Sequence, residues 1–212
     1  MINLRERLAS LTLLPVLTVH SEEQAVGLCR ALSAGGITAV EITLRTPAAL
    51  AAIAAVRQSL PELQVAAGTV LGVKDVEAVA AAGVDFAVSP GLSRQLVDAA
   101  RSLSLALLPG VSTASEVMTG LECGLDCFKF FPASACGGPA LLKAFVAPFH
   151  AVSFCPTGGI NASNVHAYLS LPNVLCVGGS WMIDQEHLAN HDWTAITAAT
   201  QQALASIEAK GS

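Results

Sequence analysis

Charge is scarce in this chain: Asp, Glu, Lys and Arg make up 13% of its 212 residues, and only four of them are lysines, at Lys74, Lys129, Lys143 and Lys210. Basic residues form no run and the net charge is −5, which argues against a nucleic-acid or anionic-membrane surface. A local site can still hold a small anion against that field. Long apolar runs are missing too. Gly, Pro, Ser or a charge interrupts each one before the ~20 residues that a membrane-spanning helix needs, although the mean hydropathy is +0.59. The opening MINLRERLAS carries Arg and Glu where a secretory signal has an apolar core, so the expectation is a cytoplasmic protein with no membrane partner. No CxxC pair occurs among the six cysteines (Cys29, Cys123, Cys127, Cys136, Cys155, Cys176). Cys123 and Cys127 come nearest to a metal clip, but no His or Cys lies at ligand spacing beside them. No metal and no cofactor are therefore expected, and in a reducing compartment the cysteines read as small core residues.

What the chain has in quantity is apolar residues, 53% of the total, enough for a large core. Strand-length apolar runs at 14–19, 39–44, 64–70, 86–91, 105–111, 127–132, 152–159 and 174–181 alternate with Ala/Leu-rich stretches of helical period. Those stretches fall near 21–34, 47–59, 73–82, 92–103, 113–123, 138–147, 162–170 and 193–209. Ser21, the Ser112/Thr113 pair before Glu116, and Asn161 supply cap chemistry. Eight strand–helix units with no linker predict an α/β protein, a single (β/α)8 TIM barrel spanning 1–212, with one extra N-terminal helix before Leu14. A doubly wound sheet is the alternative, yet the first strand ends in Val19-His20-Ser21 rather than in a glycine-rich fingerprint.

In such a barrel chemistry sits at the C-terminal ends of the strands, where this sequence gathers its polar residues, Gly and Pro; the opposite ends carry no such cluster. Lys129 is the sharpest signal. Strand alternation sets Cys127, Lys129 and Phe131 on one face and Phe128 and Phe130 on the other. If the two phenylalanines pack outward, Lys129 enters the barrel, where desolvation disfavours its ammonium form and frees a nucleophilic amine. The competing reading is a lysine paired with a carboxylate for structure alone. Glu41 and Arg45 in AVEITLR are expected on one strand face. Glu41 offers a proton shuttle and Arg45 a planar fork for a carboxylate. Thr157-Gly158-Gly159 and Gly178-Gly179-Ser180 end the last two strands, where barrels often bind phosphate through backbone N–H groups. Thr69 and Pro90 complete the candidate rim. His20 reads as surface. Carboxylates and histidines are too sparse at these ends for a metal site, which disfavours metal-dependent aldolase or epimerase chemistry.

The strings EITLRT (41–46), AGTVLG (67–72), FAVSPGL (86–92), FKFFPA (128–133), FCPTGGI (154–160) and CVGGSW (176–181) resemble, in order and spacing, the 2-dehydro-3-deoxy-phosphogluconate (KDPG) aldolases. Among these are bifunctional forms that also cleave 4-hydroxy-2-oxoglutarate. The resemblance implies a (β/α)8 barrel, a homotrimer, and a cofactor-free Schiff-base aldolase acting on a small 2-oxo acid to release pyruvate. It implies that Lys129 is the Schiff-base lysine, Glu41 the proton-transferring glutamate, and Arg45 and Thr69 the pyruvate contacts. Phe131 matches the aromatic beside the lysine, and Thr157, Gly158, Gly159 and Ser180 the phosphate side. Two departures stand out: Ser134 replaces a common glutamate, and His20-Ser21 replaces basic residues. Rival readings are an aldolase for the 6-phosphogalactonate epimer, a sugar-phosphate epimerase or isomerase barrel, and a binding protein with a relict site.

Overall fold

The computed structural model describes residues 3–208. Its strands are parallel and short: β1 Leu13–Leu17, β2 Ala39–Thr43, β3 Gln64–Gly68, β4 Phe86–Val88, β5 Leu107–Leu108, β6 Gly110–Val111, β7 Cys127–Phe130, β8 Ser153–Pro156 and β9 Val177–Gly179. Helices fill the gaps: α1 Leu4–Ala9, α2 Glu22–Ala34, α3 Ala49–Ser59, α4 Val73–Ala81, α5 Arg94–Ser102, α6 Ala114–Glu122, α7 Gly138–Phe145, α8 Val165–Leu169, α9 Gln185–Ala189 and α10 Trp193–Glu208. A six-stranded sheet runs β5-β4-β3-β2-β1-β9 and a three-stranded one β6-β7-β8. Only Pro109 separates β5 from β6, and proline has no N–H to continue a ladder. Bridges Phe154↔Val174 and Thr157↔Gly178 tie the β8 side to the β9 side. The result is an α/β fold whose parallel sheet curls around an apolar interior.

Both strand faces are buried, which is why the strands read as nearly continuous apolar runs. One face points inward: Leu14, Ala39, Ala66, Phe86, Leu108, Cys127, Cys155 and Cys176 form one cluster with Leu8 and Leu11 from α1 and the turn after it. The other face, including Val40, Val65, Phe128, Phe130 and Phe154, packs against helices. A fully buried side chain of this size contributes about 1.5–3 kcal/mol. The outward packing of Phe128 is close enough that a Cβ on Gly120 of α6 would lie 2.2 Å from its ring.

Six strands end two or three residues earlier than the apolar runs suggest, because their last residues turn to form the rim; β2 ends one residue earlier and β6 ends with its run. Ser21 caps α2 and a Thr113–Glu116 capping box starts α6, but Asn161 does not cap α8. That helix starts at Val165 with Asn164 before it, while Asn161 heads a turn whose side chain accepts from the Ser163 N–H. The N-terminal ends of the strands are not bare of charge. Asp85 accepts from Arg57 (2.7 Å), Arg7 (3.3 Å) and the Val65 N–H (2.8 Å), and Arg5 reaches Asp126 and Ser153. These charges come from α1, α3 and the loops, so strand periodicity alone hides them. Among the described residues no helix is long and apolar enough to cross a membrane.

Candidate active site

Two residues beyond the inward apolar layer, β2 and β7 each place an ionisable side chain where Ala39 and Cys127 place apolar ones. Lys129 Nζ donates to Glu41 Oε1 at 2.9 Å and to Oε2 at 3.2 Å. The two side chains are only 6% and 2% exposed. A buried ion pair gains little net stability, and removing either partner strands the other at about 3–5 kcal/mol. The interior therefore tolerates this pair rather than depending on it for its fold. The arrangement holds an amine beside a carboxylate that can take or return its proton.

Glycine makes room for that carboxylate. A Cβ at Gly68, the last residue of β3, would sit 2.2 Å from Glu41 Oε1. Gly68 stands at a strand end in the sequence with nothing to mark this role; its signal is a glycine closing the strand beside the one that carries Glu41. Thr69 follows with φ +60, a left-handed conformation that is a genuine outlier for a β-branched residue. Such strain persists where the surroundings impose it, often at functional sites.

Phe131 lies with its ring centroid 5.3 Å from Lys129 Nζ, within cation–π range. Beyond it comes the turn after β8. A Cβ on Gly158 would meet Phe131 and the Pro132 backbone at 3.3–3.4 Å, and one on Gly178 would strike Thr157 Oγ1 at 2.3 Å. Lys129, Phe131, Gly158, Thr157 and Gly178 thus form a continuous line of contacts. Gly110 pairs in register with Lys129, and a Cβ there would lie 2.1 Å from the Pro90 carbonyl, so Pro90 rests over the neighbouring strand. Gly179 packs instead on the Trp181 ring.

Arg45 is the residue the structure moves. The strand ends at Thr43 and Arg45 lies exposed in the following turn, so it does not share a strand face with Glu41. Period-two alternation holds only as far as Thr43. Arg45 lines a cavity of about 500 Å³ with Thr18, His20, Gln24, Ser180 and Gln185, and has no ion-pair partner among the described residues. The cavity brings Arg45 and Ser180 together with His20, which is exposed but lies at the site's edge. Val16, in register with Glu41, forms part of its wall. Among the described residues no group of three or more His, Cys, Asp or Glu side chains is placed to hold a metal ion.

The family model described as KDPG and KHG aldolase matches residues 4–199. This chain belongs to that family. It is 47% identical over 191 residues to the 2-dehydro-3-deoxy-phosphogluconate aldolase of Pseudoalteromonas atlantica, covering 90% of this chain and 89% of the relative. To the KHG/KDPG aldolase of Escherichia coli it is 46% identical over 190 residues, with 90% and 89% covered. The crystal structure of the Legionella pneumophila KDPG aldolase, with pyruvate captured at low pH as a covalent carbinolamine, superimposes with a TM-score of 0.92. It is 44% identical, and 95% of this chain and 98% of that one are covered.

Proposed function

We propose that this protein is a class I aldolase that cleaves 2-dehydro-3-deoxy-6-phosphogluconate to pyruvate and glyceraldehyde 3-phosphate, and 4-hydroxy-2-oxoglutarate to pyruvate and glyoxylate. The observation that carries the reading is the buried contact of Lys129 Nζ with Glu41 at 2.9 Å, in a chain of this family. Glu41 takes the ammonium proton, and the freed amine attacks C2 of the 2-oxo acid to give a carbinolamine. Glu41 then returns a proton to the leaving hydroxyl, water departs, and an iminium forms. Deprotonation of the C4 hydroxyl breaks the C3–C4 bond; its electrons enter the iminium, the aldehyde leaves, and an enamine remains. Protonation at C3 and hydrolysis release pyruvate and the lysine.

The remaining candidates divide by position. Arg45 and Thr69 hold the pyruvate carboxylate, Pro90 shapes the rim of the substrate site over the neighbouring strand, and Phe131 excludes water beside the amine. Thr157, Gly158, Gly159, Gly178, Gly179 and Ser180 receive the distal phosphate. What supports a closed (β/α)8 barrel of one domain is the pair of bridges from the β8 side to the β9 side and the continuity of β5 with β6 through Pro109. The α1 helix, contributing Leu8 to the inner cluster, would seal the floor of such a barrel. The reading extends to a cytoplasmic homotrimer that uses no cofactor and no metal.

The test is pyruvate release from each substrate by the wild type and by Lys129→Ala. Cleavage of both compounds, lost in the variant, supports the reading. A folded variant retaining more than a few per cent of the wild-type rate removes the lysine from the mechanism.

A further inference from the structure

Behind the turn after β8 lies a set of hydrogen bonds that the reaction scheme does not use. Gly158 and Gly159 take φ +103 and +74, and the N–H groups of Gly159 and Ile160 find no protein acceptor among the described residues. Successive N–H groups in such a turn form an anion-binding concavity, provided the carbonyls are turned away. The Gly159 carbonyl is turned away by two donors, Ser134 Oγ at 3.0 Å and Asn164 Nδ2 at 2.9 Å. Each donor is held in turn. The buried Tyr168 hydroxyl lies 3.3 Å from Ser134 Oγ, and Asn164 Oδ1 accepts from the Asn161 N–H at 2.9 Å.

The backbone joins the same two loops. Ala133 N–H donates to the Thr157 carbonyl at 2.8 Å and Ser134 N–H to the Gly158 carbonyl at 3.0 Å. Three successive carbonyls of the turn are thus tied down from behind by residues 133–134 and 164. A Cβ on Gly159 would collide with Ser134 Oγ at 2.6 Å, so the serine occupies the space that this glycine leaves.

We infer that Ser134 and Asn164 are positioning residues for the distal phosphate of the substrate, setting the orientation of the Thr157–Ile160 turn through the Gly159 carbonyl without touching the ligand. This rests on the aldolase reading above. It makes the pair selective: a phosphorylated substrate should feel its loss, and 4-hydroxy-2-oxoglutarate, which carries no phosphate, should not.

Steady-state kinetics of Ser134→Ala, Asn164→Ala and the double variant on both substrates test this, with thermal unfolding as the check on folding. The expected result for the double variant is a KM for the phosphorylated substrate raised about three- to tenfold, the size of one or two hydrogen bonds. Its kcat should stay within about twofold, and kcat/KM for 4-hydroxy-2-oxoglutarate should not change. Equal losses on both substrates, or no change on either, would overturn it. Ser134 is exposed, and a surface substitution of this kind changes stability little. Ser134→Ala therefore carries the test alone if Asn164→Ala fails to fold. Titration with inorganic phosphate, followed through the Gly158 and Gly159 amide resonances, separates this inference from the reaction itself. Weakened phosphate shifts in Ser134→Ala support the brace even if neither substrate is cleaved, and unchanged shifts contradict it.

Discussion

The carboxylate of Glu41 occupies the space that a Cβ at Gly68 would need: the two would be 2.2 Å apart. Gly68→Ala should therefore push Glu41 off Lys129 while leaving the strand ladder in place. A displacement of about 1 Å at reacting groups can cost about a hundredfold in rate, and kcat should fall on that scale. Shortening the acid in Gly68→Ala/Glu41→Asp should recover part of the loss. Stopped-flow measurement of pyruvate release from the two variants decides it; a double variant no faster than Gly68→Ala contradicts the steric account.

Glu41→Gln keeps the shape and removes the base. Kcat should drop by about two to four orders of magnitude, the usual contribution of a positioned acid–base group. Pyruvate affinity, read by isothermal calorimetry, should stay within about threefold. An unaltered turnover would take Glu41 out of proton transfer.

The cysteines should divide by burial. Burial pushes the Cys29 thiol up to about 12, and burial together with the neighbouring Asp126 charge raises Cys127 to about 12. The thiolate is the nucleophile, so both should stay unmodified by iodoacetamide at neutral pH in the folded protein. The half-buried Cys123 and Cys136 should alkylate first. Peptide mapping after a timed exposure reads the order directly, and early labelling of Cys29 would mean that the core opens.

The capping box of α6 gives a pH signature. Burial raises the Glu116 carboxyl, but hydrogen bonds from the Ser112 and Thr113 N–H and hydroxyl groups outweigh it and hold the group below its usual range. A carboxyl lowered on folding stabilises the protein above its unfolded value and loses that contribution as pH falls through the folded one. Glu116→Ala should lower Tm by about 2–4 °C at neutral pH, and the gap to wild type should narrow as the pH falls below the ordinary glutamate range, about 4.3. A gap that does not narrow on acidification would assign the loss to packing.

Much of this was legible in the sequence, and the exceptions have physical reasons. Lys129 and Glu41 stood out because an ionisable group in a strand buried on both faces demands a partner, and each supplies the other's. The alternation that set Phe128 and Phe130 outward held because both faces of β7 are buried and only the inner one is polar. Alternation misplaces Arg45 because no turn residue marks the end of β2: Leu44 continues the apolar run and its N–H still donates to the Gly68 carbonyl at 2.8 Å, while the turn that carries Arg45 has begun. Helix α9, five residues long, is too short to show a helical period. Gly68 and Ser134 act through space they leave or fill, which spacing along the chain does not report.

The central claim is that Lys129 is the nucleophile, and borohydride reduction in the presence of pyruvate tests it most directly. Peptide mass spectrometry should find a stable pyruvate-derived adduct on Lys129 and none on Lys74 or Lys143. A folded protein with no adduct on Lys129 would make the Lys129–Glu41 pair structural and contradict the Schiff-base account.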